Sequence, residues 1–138
     1  MCLHITKNKR AVKKSLKKST VYKVYQRYRN EDYVMACFQY NKYPDCDFQV
    51  GKEIISDRTT TELDLNDIQI GLVGKGLHAY TLKKDAALAV DYWNEYHVHH
   101  HFIVEMEGLP KNFVARGEDD AGKPSVVYTK LKILKIHK

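Results

Sequence analysis

The sequence has little cysteine and no long apolar run, and both features narrow the class of protein. Its 138 residues include three cysteines, Cys2, Cys37 and Cys46, an odd number without Cys-x-x-Cys spacing. This pattern argues against a disulfide framework and a four-cysteine zinc site. The chain also lacks an apolar run of about eighteen residues and an N-terminal secretory pattern, so we expect a cytoplasmic protein without membrane contact.

Acidic residues are absent from the first part of the chain. Residues 1–29 hold ten lysines or arginines and no acid, which leaves thirteen basic and seventeen acidic residues in the rest. The sequence therefore predicts a basic N-terminal arm or short helix over residues 1–18, followed by a single domain over residues 19–138. A basic arm can bind polyphosphate or an acidic protein surface, although a solvated lysine segment fits equally well.

The pattern of residues 77–107 predicts a strand, a helix and a second strand. Residues 77–80 alternate in the manner of a strand, Thr81 can cap a helix, and the next residues recur at helical spacing. The helix is expected over about residues 81–96. Its predicted apolar stripe consists of Leu82, Ala86, Ala89, Val90 and Trp93. We expect an α+β fold, mainly an antiparallel sheet packed against this one central helix.

Alternating residues predict most of the remaining strands. Residues 20–28 and 33–40 indicate a hairpin, because both segments alternate and Asn-Glu-Asp lies between them. Residues 41–61 form a long connection with a short strand at 52–56. Residues 126–136 predict one closing strand with a solvent-facing side.

The common catalytic motifs are missing. Gly71, Gly74 and Gly76 lack the spacing of a phosphate loop and are interpreted as turn residues. There is no Ser/His/Asp arrangement and no His-Glu-x-x-His motif. We therefore expect a protein that is not an enzyme and needs no cofactor.

Histidines cluster between the predicted helix and the second strand. In an extended chain His97, His99 and His101 would project to one face, about 7 Å apart, where neutral imidazoles could bind zinc. The alternative is a polar junction in which imidazoles lie near the negative end of the helix.

Basic and aromatic residues in the first third of the chain are the predicted binding residues. Tyrosine and arginine are common interface anchors, and tyrosines between basic residues can also stack on nucleic acid bases. The predicted set is Lys9, Arg10, Lys13, Lys14, Lys17, Lys18, Tyr22, Tyr25, Arg27 and Tyr28. Tyrosines in this pattern more often serve sheet packing.

Several segments resemble a group of short uncharacterised proteins from bacteriophage and bacterial genomes. The segments are the opening Met1-Cys2-Leu3, the lysine-rich arm, TVYKVY, GLHAYTLKKDAALAV, FIVEMEGLP and VVYTKLKI. The resemblance covers most of the chain and implies a cytosolic α+β domain carried by phages. Small phage proteins of this kind commonly bind and block host proteins, including defence nucleases.

A more distant similarity is to the ADP-ribosyltransferase-like fold. That family places a basic or histidine residue on an early strand and a tyrosine or serine on a strand before an alanine-rich helix. Lys23, Tyr80 and either Glu105 or Glu107 occupy the matching positions. Lys23 stands where the family has arginine or histidine, and Ser125 and Val126 stand where its acid usually lies. The similarity implies NAD binding.

The leading hypothesis from the sequence is a non-enzymatic binding module, encoded by a phage and directed at a host protein or nucleoprotein. An ADP-ribosyltransferase-like NAD-binding domain and a nucleic-acid-binding protein are the alternatives. A zinc site at the histidines is a further alternative.

Overall fold

A computed structural model describes residues 3–4, 17–27, 33–36, 42–56, 72–73, 76–96 and 99–137. These residues form one helix of four turns, α1 (Lys83–Tyr96), a short 3-10 turn (Pro110–Asn112) and a sheet of eleven strands. The strands are β1 (Leu3–His4), β2 (Ser19–Arg27), β3 (Tyr33–Ala36), β4 (Lys42–Pro44), β5 (Glu53–Ile55), β6 (Leu72–Val73), β7 (Leu77–Tyr80), β8 (His100–Gly108), β9 (Phe113–Glu118), β10 (Pro124–Tyr128) and β11 (Lys130–His137).

The sheet is antiparallel at every described pairing and has β2 near its middle. The strand order is β5-β11-β8-β2-β7-β10-β9-β1-β6, while β3 also pairs with β2 and β4 with β3. All nine residues of β2 pair with β8, from Ser19 opposite Gly108 to Arg27 opposite His100. Both β7 and β3 pair with β2, at Tyr22 and at Tyr25–Arg27 respectively. The mainly antiparallel sheet with a helix is therefore confirmed for this part of the chain.

One face of the sheet, called the inner face below, holds the main core. Buried apolar side chains from seven strands and the loop residue Phe48 form one cluster. Its members are Val21, Tyr25, Val34, Ala36, Phe48, Ile54, Leu77, Ala79, Phe102, Val104, Met106, Val126, Tyr128, Leu131 and Ile133. The ring of Tyr128 on β10 lies against Gly108 on β8, where any side chain would collide with it. Because strands distant in the order meet in this way, the sheet curves around the core.

The other face, called the outer face, carries α1. Ala86 is fully buried in a small cluster with Val24 of β2 and Ile103 of β8. Ala87, Ala89 and Val90 pack against this cluster but stay partly exposed. Small side chains let the helix approach the strands closely, but they bury little apolar area. The contact between the helix and the sheet therefore contributes little buried apolar area to the fold.

The predicted strand, helix and second strand over residues 77–107 are confirmed as β7, α1 and β8. The predicted hairpin is confirmed by the antiparallel pairing of β2 with β3. The short strand predicted at 52–56 is present as β5. Within the described ranges, no helix combines the length and the apolar character needed to cross a bilayer.

The prediction of one closing strand over residues 126–136 is wrong. The chain breaks at Thr129, and β10 pairs with β7 and β9, whereas β11 pairs with β8 and β5. The backbone N–H of Thr129 donates to the carbonyl of Asn112, and its own carbonyl accepts from the N–H of Ser56. The alternation changes phase at the break, because Val126 and Tyr128 face the core before it and Leu131 and Ile133 face the core after it.

The turn role predicted for Gly76 is confirmed, whereas Gly71 and Gly74 lie outside the described residues. Gly76 has a φ of 108°, which residues with a side chain rarely adopt. A side chain at this position would also meet Cγ1 of Val127. Glycine is thus required where the chain enters β7.

Candidate functional site

Part of the predicted basic arm falls within the described residues. Lys17 and Lys18 are exposed at the start of β2, and the Lys18 ammonium lies 3.9 Å from a carboxylate oxygen of Glu107. The predicted binding residues Lys9, Arg10, Lys13, Lys14 and Tyr28 lie outside the described residues. The role of the arm, and its boundary with the domain, stay predictions.

Tyr25 is a core residue, so its predicted place on a binding surface is wrong. Its side chain is 0% exposed, and its ring lies 4.8 Å from that of Phe48. Its hydroxyl donates to the sulfur of Met106 across 3.9 Å. Burial, followed by the neighbouring Tyr43, raises the pKa of Tyr25 well above its ordinary value. Alternation along β2 places Tyr25 on the inner face, where a partner cannot reach it.

Tyr22 and Arg27 are half-buried rather than fully exposed. Tyr22 packs on the outer face beside α1. The guanidinium of Arg27 donates to Asp45 across 2.6 Å and lies 5.4 Å from the ring centroid of Phe102. Arg27 thus already has an acid and an aromatic ring as neighbours. Less of its guanidinium group is therefore available to a partner.

The three residues matched to the ADP-ribosyltransferase-like fold do not meet. Lys23 is 4% exposed, and its ammonium donates to the backbone carbonyl of His78 across 2.8 Å. Tyr80 and Glu105 lie on the outer face, each opposite Tyr22 on a neighbouring strand. The predicted grouping with Lys23 is therefore wrong, because alternation along β2 turns Lys23 and Tyr22 to opposite faces.

Glu105 has a histidine and a lysine as neighbours on the outer face. One carboxylate oxygen lies 2.7 Å from Nε2 of His137 and 3.9 Å from the ammonium of Lys83. Together with Tyr22 and Tyr80 these groups make a polar row beside the first turn of α1. The row combines hydroxyl, carboxylate and imidazole groups, which could hold a small polar ligand.

The histidines that the structure describes have structural neighbours. His101 is 2% exposed, and its ring stacks on that of Trp93. The Asn94 side chain accepts from the backbone N–H of His101 across 2.7 Å and donates to its carbonyl across 3.2 Å. The Nδ1 atom of His101 also lies 3.0 Å from the carbonyl of His99. These contacts join the end of α1 to the start of β8.

The predicted zinc site gains no support from this arrangement. Within the described ranges, no group of three or more histidine, cysteine or acidic side chains is placed to hold a metal ion. His97 lies outside those ranges. The polar junction that the sequence offered as the alternative describes the position of His101 better.

An exposed apolar stripe runs along α1, beginning at Leu88 on the side opposite the buried Ala86. Leu88 and Tyr92 are each 56% exposed, and Tyr96 is 64% exposed. They recur every four residues, so they lie on neighbouring turns of one helix face. The rings of Tyr92 and Tyr96 are 4.8 Å apart, and that of Tyr92 lies 5.3 Å from Trp93. We call Leu88, Tyr92 and Tyr96 the α1 stripe.

The sequence interpretation missed the α1 stripe. It assigned the apolar side of the helix to Leu82, Ala86, Ala89, Val90 and Trp93, of which Leu82 is 41% exposed. Three large residues spaced by four outside that set were the available signal, because a helix with one buried side has mainly polar residues opposite it.

Exposed groups that could contact a partner or ligand include those on the outer side of the sheet and on α1. Two features stand out, the polar row at Glu105 and the α1 stripe. Comparison of this chain with protein-family models, with curated proteins and with solved structures found no match.

Proposed function

We propose that the protein is a non-enzymatic binding module and that the α1 stripe is its protein-contact surface. The observation that carries this proposal is the exposure of Leu88, Tyr92 and Tyr96 on neighbouring turns of a helix that docks on the sheet through Ala86. Single exposed apolar residues are ordinary, but three aligned ones form a patch. Helical contact surfaces commonly present such residues at spacings of three and four.

The chemistry of the stripe suits a protein partner. Tyrosine is enriched among the residues that dominate interface energies, because it combines a large rigid ring with a polar group. Full burial of a leucine side chain such as Leu88 contributes about 1.5–3 kcal/mol. The packing of Ala86 against Val24 and Ile103 supports a docked helix that directs the stripe away from the sheet.

The wider setting of the proposal comes from the sequence. The resemblance to short phage and bacterial proteins suggests a phage-encoded module that acts in the cytoplasm on a host protein or nucleoprotein. The basic arm over residues 1–18 would supply an electrostatic contact beside the one that α1 makes. Both statements stay predictions.

The proposal can be tested by capture of proteins on the immobilised full chain. The double variant Leu88→Gln/Tyr92→Gln removes the apolar groups and keeps good helix formers. A matched control is Ile55→Thr, which removes a 59% exposed apolar side chain from β5. We expect the double variant to retain at least tenfold less of any captured protein, second copies of the chain included, while the control behaves as the wild type. Identical capture by all three proteins would contradict the proposal.

The electrostatic contact has its own test. Deletion of residues 1–18 should weaken retention on a polyanion at low salt and remove most of its salt dependence. Unchanged, salt-insensitive retention of the full chain and the deletion variant would remove this part of the proposal. It would leave the part that concerns α1.

An NAD-binding domain is the second candidate function. The polar row supports it, since Tyr80 and Glu105 lie on one face at either side of Tyr22. The burial of Lys23 on the inner face counts against it. Calorimetric titration with NAD at millimolar concentration, with Tyr80→Ala as the control, separates the two candidates. Heat of binding that Tyr80→Ala abolishes would favour the NAD-binding domain.

A further inference from the structure

The charges along α1 run in the opposite order to the one that a helix favours. Lys83 and Lys84 stand in the first turn, where the backbone N–H groups make the helix end positive, together with one acid, Asp85. Asp91 and Glu95 stand toward the negative end, and the last turn has no basic residue. Asp91 and Glu95 are also four residues apart, so their like charges repel. An isolated helix gains nothing from this arrangement.

The exposed charges lie beside the α1 stripe on one flank. Eleven residues separate Lys84 from Glu95, and seven separate it from Asp91, which is about three turns and two turns. All three side chains are therefore carried on the same side of the helix, and all three residues are exposed. The helix presents an apolar stripe with one flank that is positive at its beginning and negative toward its end.

This pattern is complementary to itself in an antiparallel arrangement. A twofold axis at the level of Val90 puts Leu88 of one helix level with Tyr92 of the other, since each lies two residues from the axis. The same axis puts Lys84 within one residue, about 1.5 Å along the helix, of the level of Glu95. This twofold axis is perpendicular to both helices and to the line between them. It leaves the charged flanks of the two helices on the same side of the pair, so the opposite charges face each other.

From this we infer that α1 pairs with α1 of a second copy of the chain, antiparallel, with Leu88 against Tyr92 and Lys84 beside Glu95. The inference rests on the proposed function, because it assigns an occupant to the same stripe. A second copy supplies a cation to the acidic end, whose last turn has no basic residue, and places Glu95 beside the exposed Lys84. The antiparallel pairing also points the two helix dipoles in opposite directions. Most soluble homo-oligomers are closed twofold dimers whose interface contacts itself in this manner.

Pairing through α1 would also give a dimer two basic arms. Each chain carries seven lysines or arginines in residues 1–18. Two linked arms bind a polyanion more tightly than two separate ones, because the second contact becomes intramolecular.

Sedimentation equilibrium of the full chain over about 1–200 µM tests the inference. The wild type and Ile55→Thr should show reversible dimers, and Leu88→Gln/Tyr92→Gln should weaken self-association at least thirtyfold. Lys84→Glu and Glu95→Lys should each weaken it about tenfold, because each places like charges together twice. The double variant Lys84→Glu/Glu95→Lys restores opposite charges and should return to within about threefold of the wild type. Circular dichroism checks that each variant keeps its helix.

Two results would overturn the inference. One is a wild type that stays monomeric up to 200 µM, and the other is a charge-swapped double variant that associates no better than its single parents. If the wild type is monomeric but the Leu88→Gln/Tyr92→Gln variant still loses a captured protein, the stripe binds a different partner. The proposed function then stands. A monomeric wild type with unchanged capture removes both.

Discussion

The two faces of the sheet differ in how their apolar residues are used. On the inner face the side chains of Tyr25, Tyr128 and Ile133 are almost completely buried, and rings pack on one another across strands. On the outer face α1 is held through alanines and a few half-buried residues, while Leu88, Tyr92 and Tyr96 are more than half exposed. The inner face therefore supplies most of the buried apolar core, whereas α1 carries large apolar side chains that stay exposed to solvent.

The largest expected effect on stability comes from removing a large side chain from the inner face. Tyr128→Ala removes a ring that lies between Gly108 and Phe113, and it should lower the free energy of unfolding by about 3–5 kcal/mol. Urea unfolding followed by circular dichroism measures the change. A loss below about 1 kcal/mol would contradict the assignment of stability to this face.

A smaller effect is expected where α1 is joined to β8. Asn94→Ala leaves the backbone N–H and carbonyl of His101 without their side-chain partner, and should cost about 1–2 kcal/mol of unfolding free energy. Asn94→Asp keeps the acceptor but not the donor, so its cost should be intermediate. Equal stability of both variants and the wild type in urea would show that these hydrogen bonds do not hold the helix.

Alkaline pH should lower the free energy of unfolding through the ionisation of Tyr25. Burial raises the pKa of Tyr25 in the folded state, so the full stability is present below the ordinary tyrosine pKa of about 10. Above that pH the unfolded chain loses the proton more readily than the folded one, and stability falls as the pH approaches the folded-state pKa. Tyr25→Phe should therefore show a shallower loss of unfolding free energy between pH 9 and 11. Parallel curves for the variant and the wild type would contradict this.

The smallest expected effect on stability comes from the α1 stripe. Leu88→Gln/Tyr92→Gln should leave the unfolding free energy within about 0.5 kcal/mol of the wild type at low protein concentration, since both side chains are already in water. Urea unfolding at about 1 µM provides the measurement. A loss of 2 kcal/mol or more would mean that the stripe belongs to the fold and not to a contact surface.

The sequence was sufficient to predict the elements that local patterns define. The change from alternation to helical spacing at Thr81 marks the end of β7, and the alanines after it predict α1. The hairpin of β2 and β3 follows from alternation on both sides of a polar turn. In each case the signal lies within about ten residues of the element.

The features that the sequence did not predict depend on contacts between residues that are far apart in the chain. Whether Tyr22 or Tyr25 faces the core could not be read from β2, because both sides of that strand carry tyrosine and valine. The break at Thr129 is set by Asn112 and Ser56, which the closing segment does not contain. The α1 stripe was present in the sequence, but only the position of the sheet shows that this side of the helix is open.

The most direct test of the contrast between the two faces is selective nitration of tyrosine in the full chain, read by peptide mass spectrometry. Among the tyrosines that the structure describes, Tyr92 and Tyr96 should be modified first in dilute protein, while Tyr25 and Tyr128 stay unmodified as long as the chain is folded. Raising the protein concentration should slow the reaction at Tyr92 and Tyr96 and leave an exposed reference such as Tyr33 unchanged. Early modification of Tyr25 or Tyr128, or rates at the stripe that are the same at every protein concentration, would contradict the account.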